Sequence, residues 1–261
     1  MDTERFQRAM VLRDTGQIQE ALHELCTLSE ETADNGEKAS LLLNESRCLV
    51  QLGNLPEARK RFEEAAAICP RTQGRLYVEF QRAMLQWHEG NPFEAVKTLE
   101  RLLKHYLDLL KTAEHKDLYE DIQINQGILL TQLDRFGEAR MVLEECLSFE
   151  FGAEDHASVL FNLGLCYLKL GDFAQAKGKF LDSLTDAARE QNFVGAHYYL
   201  GIINYKEEAF AKALQEFEWC LPRAEKGQLP ESHLYKWLAK CATQLGMTGD
   251  AERSLELPKS E

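Results

Sequence analysis

The chain has 261 residues, 44% apolar and 28% charged, enough for a continuous core and for solvated outer helix faces, which excludes a disordered chain. Lysine and arginine total 30 against 43 aspartates and glutamates, and the net charge of −13 excludes phosphate-backbone binding to nucleic acid as the main activity. No apolar leader follows Met1-Asp2-Thr3-Glu4-Arg5-Phe6 and no run reaches membrane-span length, so the expected setting is the cytoplasm, without a membrane partner.

Along the chain a small residue is followed twelve positions later by alanine seven times: Ala9/Ala21, Ser46/Ala58, Ala83/Ala95, Gly127/Ala139, Gly164/Ala176, Gly201/Ala213 and Ala239/Ala251. Successive alanines are 37, 37, 44, 37, 37 and 38 residues apart, a period that predicts a stacked helical array of seven hairpins and fourteen helices. The small pair removes the volume that would hold two helices apart. The units fall near 2–36, 39–73, 76–114, 120–155, 157–192, 194–229 and 232–257, read as one domain because repeat arrays have no natural internal boundary. The first helix starts near residue 2, and a short hairpin after Gly246 is expected as the terminal cap.

Each predicted turn has its own chemistry. Gly16, Gly53, Gly90, Gly171 and Gly246 stand just past a first helix, where a left-handed backbone is cheapest for glycine; Asp134 and Glu208 break this rule. Asn91-Pro92 places proline in the first turn of the third unit's second helix. The same unit carries seven extra residues, and its leucine-rich stretch Leu99–Leu110 predicts a helix projecting beyond its neighbours. Leu109 or Leu110 should then be partly uncovered and offer a self-association surface.

Cysteine is used as a small core residue. Cys48, Cys166 and Cys241 fall two residues after the small column, where other units carry Val11, Leu85, Leu129 and Ile203. With seven cysteines and no CxxC pair, a reducing compartment is expected.

The run Leu160-x2-Leu163-Gly164-x2-Tyr167, followed by Gly171-Asp172-Phe173, Ala176 and Phe180, resembles a tetratricopeptide repeat. Unit two follows with Leu42, Ser46, Leu49, Gly53, Ala58, Phe62 and Pro70, and unit six with Leu200, Gly201, Phe210, Ala213 and Phe217. The resemblance covers residues 2 to about 256 and implies an all-α right-handed solenoid. The family's usual period is 34, so each unit here holds three extra residues between its second helix and the next first helix, for which longer helices are the simplest accommodation.

No catalytic signature is present: no HExxH, no Gly-rich phosphate loop, no GxSxG and no Cys/His spacing for zinc, so neither a metal nor a cofactor is expected. The seven histidines scatter over different columns, and pairs such as Glu144-Glu145 read as solvated faces.

The resemblance places the column two residues before the small one on the inner, concave surface: Gln7, Asn44, Gln81, Asn125, Asn162, Tyr199 and Trp237. Five successive amides there suit an extended peptide, since an amide both donates to and accepts from a backbone; the alternative is that they are merely uncharged surface residues copied by duplication. The column of Met10, Met84, Ile128, Leu165 and Ile202 is placed on the groove floor, with Trp87 and Tyr205 rimming it. As part of a wider apolar stripe, the same residues also fit as packing between hairpins. Lys169, Lys206, Lys236 and Lys240 fall on inward positions, a local reversal of sign suited to a carboxylate or acidic segment. Only Asn44, Asn125 and Asn162 match part of the family's carboxylate-clamp subtype. The expected function is therefore non-enzymatic binding of a protein partner, as an extended peptide or a helix. The rival readings are a peptide-sensing regulator of the same family and, more distantly, an enzyme on this scaffold.

Overall fold

The computed structural model describes residues 2–69, 74–150, 152–186, 190–226 and 231–247. Among them there is no strand. The α-helices in order are α1 Thr3–Asp14, α2 Ile18–Glu31, α3 Asn35–Gln51, α4 Leu55–Ile68, α5 Gly74–His88, α6 Pro92–Leu110, α7 Lys116–Gln132, α8 Phe136–Cys146, α9 Ala153–Leu170, α10 Phe173–Asp186, α11 Glu190–Lys206, α12 Phe210–Cys220 and α13 Glu231–Gln244. Single 3-10 turns span Ala113–His115 and Leu221–Lys226. The partner expected for α13, the cap and Ala251 lie outside the described residues, as does Pro70. The fold divides into two compact units, Met1–Leu133 and Asp134–Glu261.

Helix starts follow from local side chains. Asp2 accepts from the Arg5 amide at 3.2 Å, Asp34 from Gly36 and Glu37 at 2.9 Å, and Asp172 from Gln175 at 3.0 Å, each satisfying a first-turn donor that has no partner within its helix. Pro56 and Pro92 occupy first turns, where no amide is needed. First helices end on left-handed residues: the five predicted glycines have φ of 72–88°. Asp134 (58°) and Glu208 (61°) take the same conformation without being glycine, so the turn is kept where the residue type is not. Most first helices are long, with 17 residues in α3, α7 and α11 and 18 in α9, against 14 in α4 and α10 and 11 in α8 and α12.

The alanine column is fully buried from Ala21 through Ala213. In unit two of the repeat, Ser46 Oγ donates to the Ala58 carbonyl at 2.8 Å, tying α3 to α4 at the twelve-residue spacing. Thr98 Oγ1 and Gln86 Oε1, again twelve apart, meet at 3.0 Å between α5 and α6. At two glycines of the small column, Gly164 and Gly201, the space is filled by a phenylalanine. A Cβ on Gly164 would lie 2.6 Å from the Phe180 ring, and one on Gly201 2.7 Å from Phe217. Both rings are fully buried four residues beyond their alanines, so alanine permits the approach and the ring occupies it.

The third unit absorbs its additional residues in α6, 19 residues long, and in the 3-10 turn that follows. Non-helical angles at Tyr106 (φ −129°, ψ 15°) kink α6 near its end. Leu109 is 41% exposed as expected, together with Tyr106 and Leu107, but Leu110 is completely buried: the kink turns it back into the core.

Candidate functional site

Two adjoining cavities of the first unit share Arg47 and Gln81. The larger, of 430 Å³, lies between α3 and α5, with Asn44, Arg47, Tyr77 and Gln81 on its walls. The second, of 260 Å³, is bordered by α3, α5 and α7 and lined by Arg47, Gln81, Met84, Trp87, Asp121 and Asn125 among others. Five residues selected from the sequence as groove residues, Asn44, Gln81, Met84, Trp87 and Asn125, thus line them, and Gln81 borders both cavities. Ile128, half-buried on α7, lines neither.

The asparagines share one conformation. Nδ2 of Asn44 donates to the Ser40 carbonyl at 2.9 Å, that of Asn125 to Asp121 at 2.7 Å and that of Asn162 to Ser158 at 2.9 Å, each four residues back along its own helix. One hydrogen is spent inside the helix, which fixes the side chain and leaves the other hydrogen and Oδ1 to face outward. In Asn44 that oxygen accepts from Arg13 Nη1 at 3.2 Å, and Arg13 also pairs with Asp14 at 2.8 Å. Trp87 is held by its indole N–H, which donates to Gln132 Oε1 on α7 at 2.8 Å.

Two groove residues escaped the sequence reading. Arg47 lines both cavities, and desolvation, then the nearby Arg13 charge, hold its guanidinium below the usual arginine range; Asp121 and Asp14 act in the opposite sense. Its signal was legible: Arg47 directly follows Ser46 and so stands in the column that carries Met10, Met84, Ile128, Leu165, Ile202 and, in the last unit, Lys240. The other is His88, on the wall of the smaller cavity, whose pKa is lowered by burial.

In the second unit the same columns are used for packing. Tyr199 stacks on Phe180 with ring centres 5.5 Å apart and planes 11° apart, and burial raises its phenol pKa. Leu165 packs against the same cluster, built on Ala176, Phe180, Ala196, Leu200 and Ile203. Trp237 stacks on Phe217 at 5.7 Å, Tyr205 meets Trp237 edge-on at 5.2 Å, and Ile202 joins them. Asn162 remains a half-buried amide on α9. Lys169 lies over Phe136 at 5.9 Å, Lys206 over Phe173 at 5.0 Å and Lys240 over Trp237 at 4.3 Å, so these charges rest on aromatic faces. Among the described residues no group of three or more His, Cys, Asp or Glu could hold a metal ion. None of their helices is long and apolar enough to cross a membrane.

Consecutive helix hairpins with small residues at the crossing points define a helical-repeat protein. The chain belongs to the tetratricopeptide repeat family: one model of that repeat matches residues 6–71 and 161–219, and a second matches 77–106. No curated protein matches it in sequence. Among solved structures it is similar to pilF of Pseudomonas aeruginosa, at 20% identity over 84% of this chain and 90% of that one, with a TM-score of 0.65. It is also similar to PilW, a widely conserved type IV pilus biogenesis factor, at 19% identity over 85% and 95% of the two chains and a TM-score of 0.65. The apo form of RapI superposes with a TM-score of 0.71 at 14% identity, over 97% of this chain and 74% of RapI. At these identities the likeness is one of fold.

Proposed function

We propose that the chain is a non-enzymatic scaffold that takes an extended peptide segment of a protein partner along the inner helices of its first unit. The observation that carries this is the run of amides. Asn44, Gln81 and Asn125, from three successive first helices, line two cavities that share Gln81 and Arg47. An extended backbone presents a donor and an acceptor at every residue, and side-chain amides fixed at their stems answer both without regard to sequence. Met84 and Trp87 add apolar floor for one or two side chains. In the second unit, Asn162 offers the same group, while Leu165, Tyr199, Ile202 and Tyr205 serve mainly to hold the array together.

The test is a comparison of the wild type with a Gln81→Ala, Asn125→Ala double variant, using peptides selected on the wild type from a random-peptide phage library. Losing at least two net hydrogen bonds at about 1 kcal/mol each weakens binding by tenfold or more, with helicity and melting nearly unchanged. Exposed Glu63 on α4, changed to Gln, is the control. Glu144 cannot serve as one, because it accepts from the Tyr167 hydroxyl. Equal affinity in the double variant and wild type overturns the proposal.

A further inference from the structure

An arginine in a column that is apolar in five of its seven members needs a reason; the other cation, Lys240, rests on the Trp237 ring. Arg47 replaces the methionine, isoleucine or leucine of the groove floor, lines both cavities, and makes no ion pair or hydrogen bond among the described residues. Arg13 nearby has its own carboxylate in Asp14, whereas Arg47, exposed to solvent, has only the more distant fields of Asp121 and Asp14. A guanidinium placed this way is unpaired among the described residues and open to a ligand entering either cavity. A carboxylate can take two parallel N–H bonds from it, and the fork geometry belongs to arginine alone.

The surroundings decide where that carboxylate sits. Described side chains on the larger cavity include no acidic residue, and beside Arg47 they supply the amides of Asn44 and Gln81 and the ring of Tyr77. The smaller cavity carries Asp121, which repels an anion, together with the apolar Met84 and Trp87. Resting on the groove reading above, we infer that Arg47 is a specificity anchor that receives one aspartate or glutamate side chain of the bound segment in the larger cavity, with a large apolar side chain of the same segment in the smaller. An overall acidic scaffold would thereby select acidic–apolar segments at one point, against its own net charge of −13.

The experiment uses the full chain and the phage-selected peptides described above, synthesised in three forms: as selected, with the acidic residue changed to its amide, and with an amidated C-terminus. On the wild type the acid-to-amide change is expected to weaken binding about tenfold or more, as for a charge-assisted hydrogen bond. On Arg47→Gln both forms should bind with the same, weakened affinity, and Arg47→Lys should restore only part of the difference. The peptide change alone tests the anchor on unaltered protein. Selected peptides without an acidic position, or an acid preference that persists in Arg47→Gln, overturn the anchor. If amidating the C-terminus removes the effect instead, the recognised group is a chain terminus and the side-chain assignment is wrong. Weakening of all peptides by Gln81→Ala with Asn125→Ala, while Arg47→Gln changes nothing, refutes the anchor and leaves the groove. Indifference to all three substitutions, or selection that yields no binding peptide, refutes both.

Discussion

The two units use one sequence column for different ends. Two residues before the small position, the first unit carries Asn44, Gln81 and Asn125, polar and bordering cavities. In the second unit the column passes from Asn162 to Tyr199 and Trp237, whose rings stack on Phe180 and Phe217. Those phenylalanines fill the space left by Gly164 and Gly201. At Gly164 and Gly201 the second helix sends a ring across the hairpin, and an aromatic residue on the next first helix stacks on it. Beside Ser46 the second helix also buries a ring, Phe62, four residues after Ala58, but the next first helix carries Gln81 in the column and it stays polar. A repeat position thus becomes surface or core according to whether its own side chain can stack on the ring its neighbours present.

The comparison breaks most visibly in stability. Tyr199→Ala or Trp237→Ala should destabilise the protein by about 2–4 kcal/mol, somewhat less than a fully buried aromatic truncation because both residues keep some exposure. Gln81→Ala or Asn125→Ala, in the same column of the first unit, should stay within about 0.5 kcal/mol. Equal losses from the two pairs in urea melts would erase the distinction. Next in size, Ala176→Leu forces a larger side chain into a fully buried contact beside Phe180 and should cost about 1–3 kcal/mol. A variant melting with the wild type would show that the alanine is not at a hairpin interface.

Much of this was legible in the sequence because repetition averages out local noise. The small–alanine spacing fixed which helices pair, and the glycines fixed where the first helices end. Legibility failed where a residue departs from its column. Arg47 was hidden by attention to the apolar members of its column, Glu208 by its residue type, and Leu110 by a kink at Tyr106 that has neither proline nor glycine to announce it. Tyr199 and Trp237 were assigned to the ligand face on family register alone. That their rings stack on Phe180 and Phe217 depends on rings brought in from another helix, which spacing along one helix cannot reveal.

Thiol chemistry sharpens the same contrast. Burial pushes Cys220 up to about 12 and Cys26 and Cys241 up to about 11, with Glu45 adding to the effect at Cys26. Cys69 is half-buried and borders the larger cavity. With a thiol reagent at neutral pH, Cys69 should be modified first and Cys220 last, read by peptide mass mapping. A bound groove peptide should slow Cys69 without changing Cys220. The linkage has a definite sign: folded values above the free value of 9.0 favour the neutral thiol, so this stabilisation is complete below pH 9 and is lost as pH rises towards 11–12. Early modification of Cys220 would contradict its place in the core.

The smallest expected effect concerns the turns. All three complete first-unit hairpins close on glycine, at Gly16, Gly53 and Gly90, whereas the second unit uses Glu208 at one of its turns. The hydrogen bonding there is the same: Glu208 N–H donates to Tyr205 O at 3.1 Å and Ala209 N–H to Asn204 O at 2.9 Å, as Gly171 and Asp172 donate to Leu168 and Tyr167 at 3.2 and 2.9 Å. What differs is the Cβ, which at φ 61° lies too close to the following carbonyl and costs about 1–2 kcal/mol, partly offset because glycine loses more backbone entropy on folding. Glu208 is exposed, so replacing it sacrifices little packing. Glu208→Gly should therefore raise stability by about 0.5–1 kcal/mol, and Gly171→Ala should lower it by a similar amount. Urea titrations of the pair at constant m-value read the difference directly. A destabilised Glu208→Gly would mean that its side chain makes a contribution larger than the left-handed backbone costs, and the two units would then differ in their turns as well as in their inner columns.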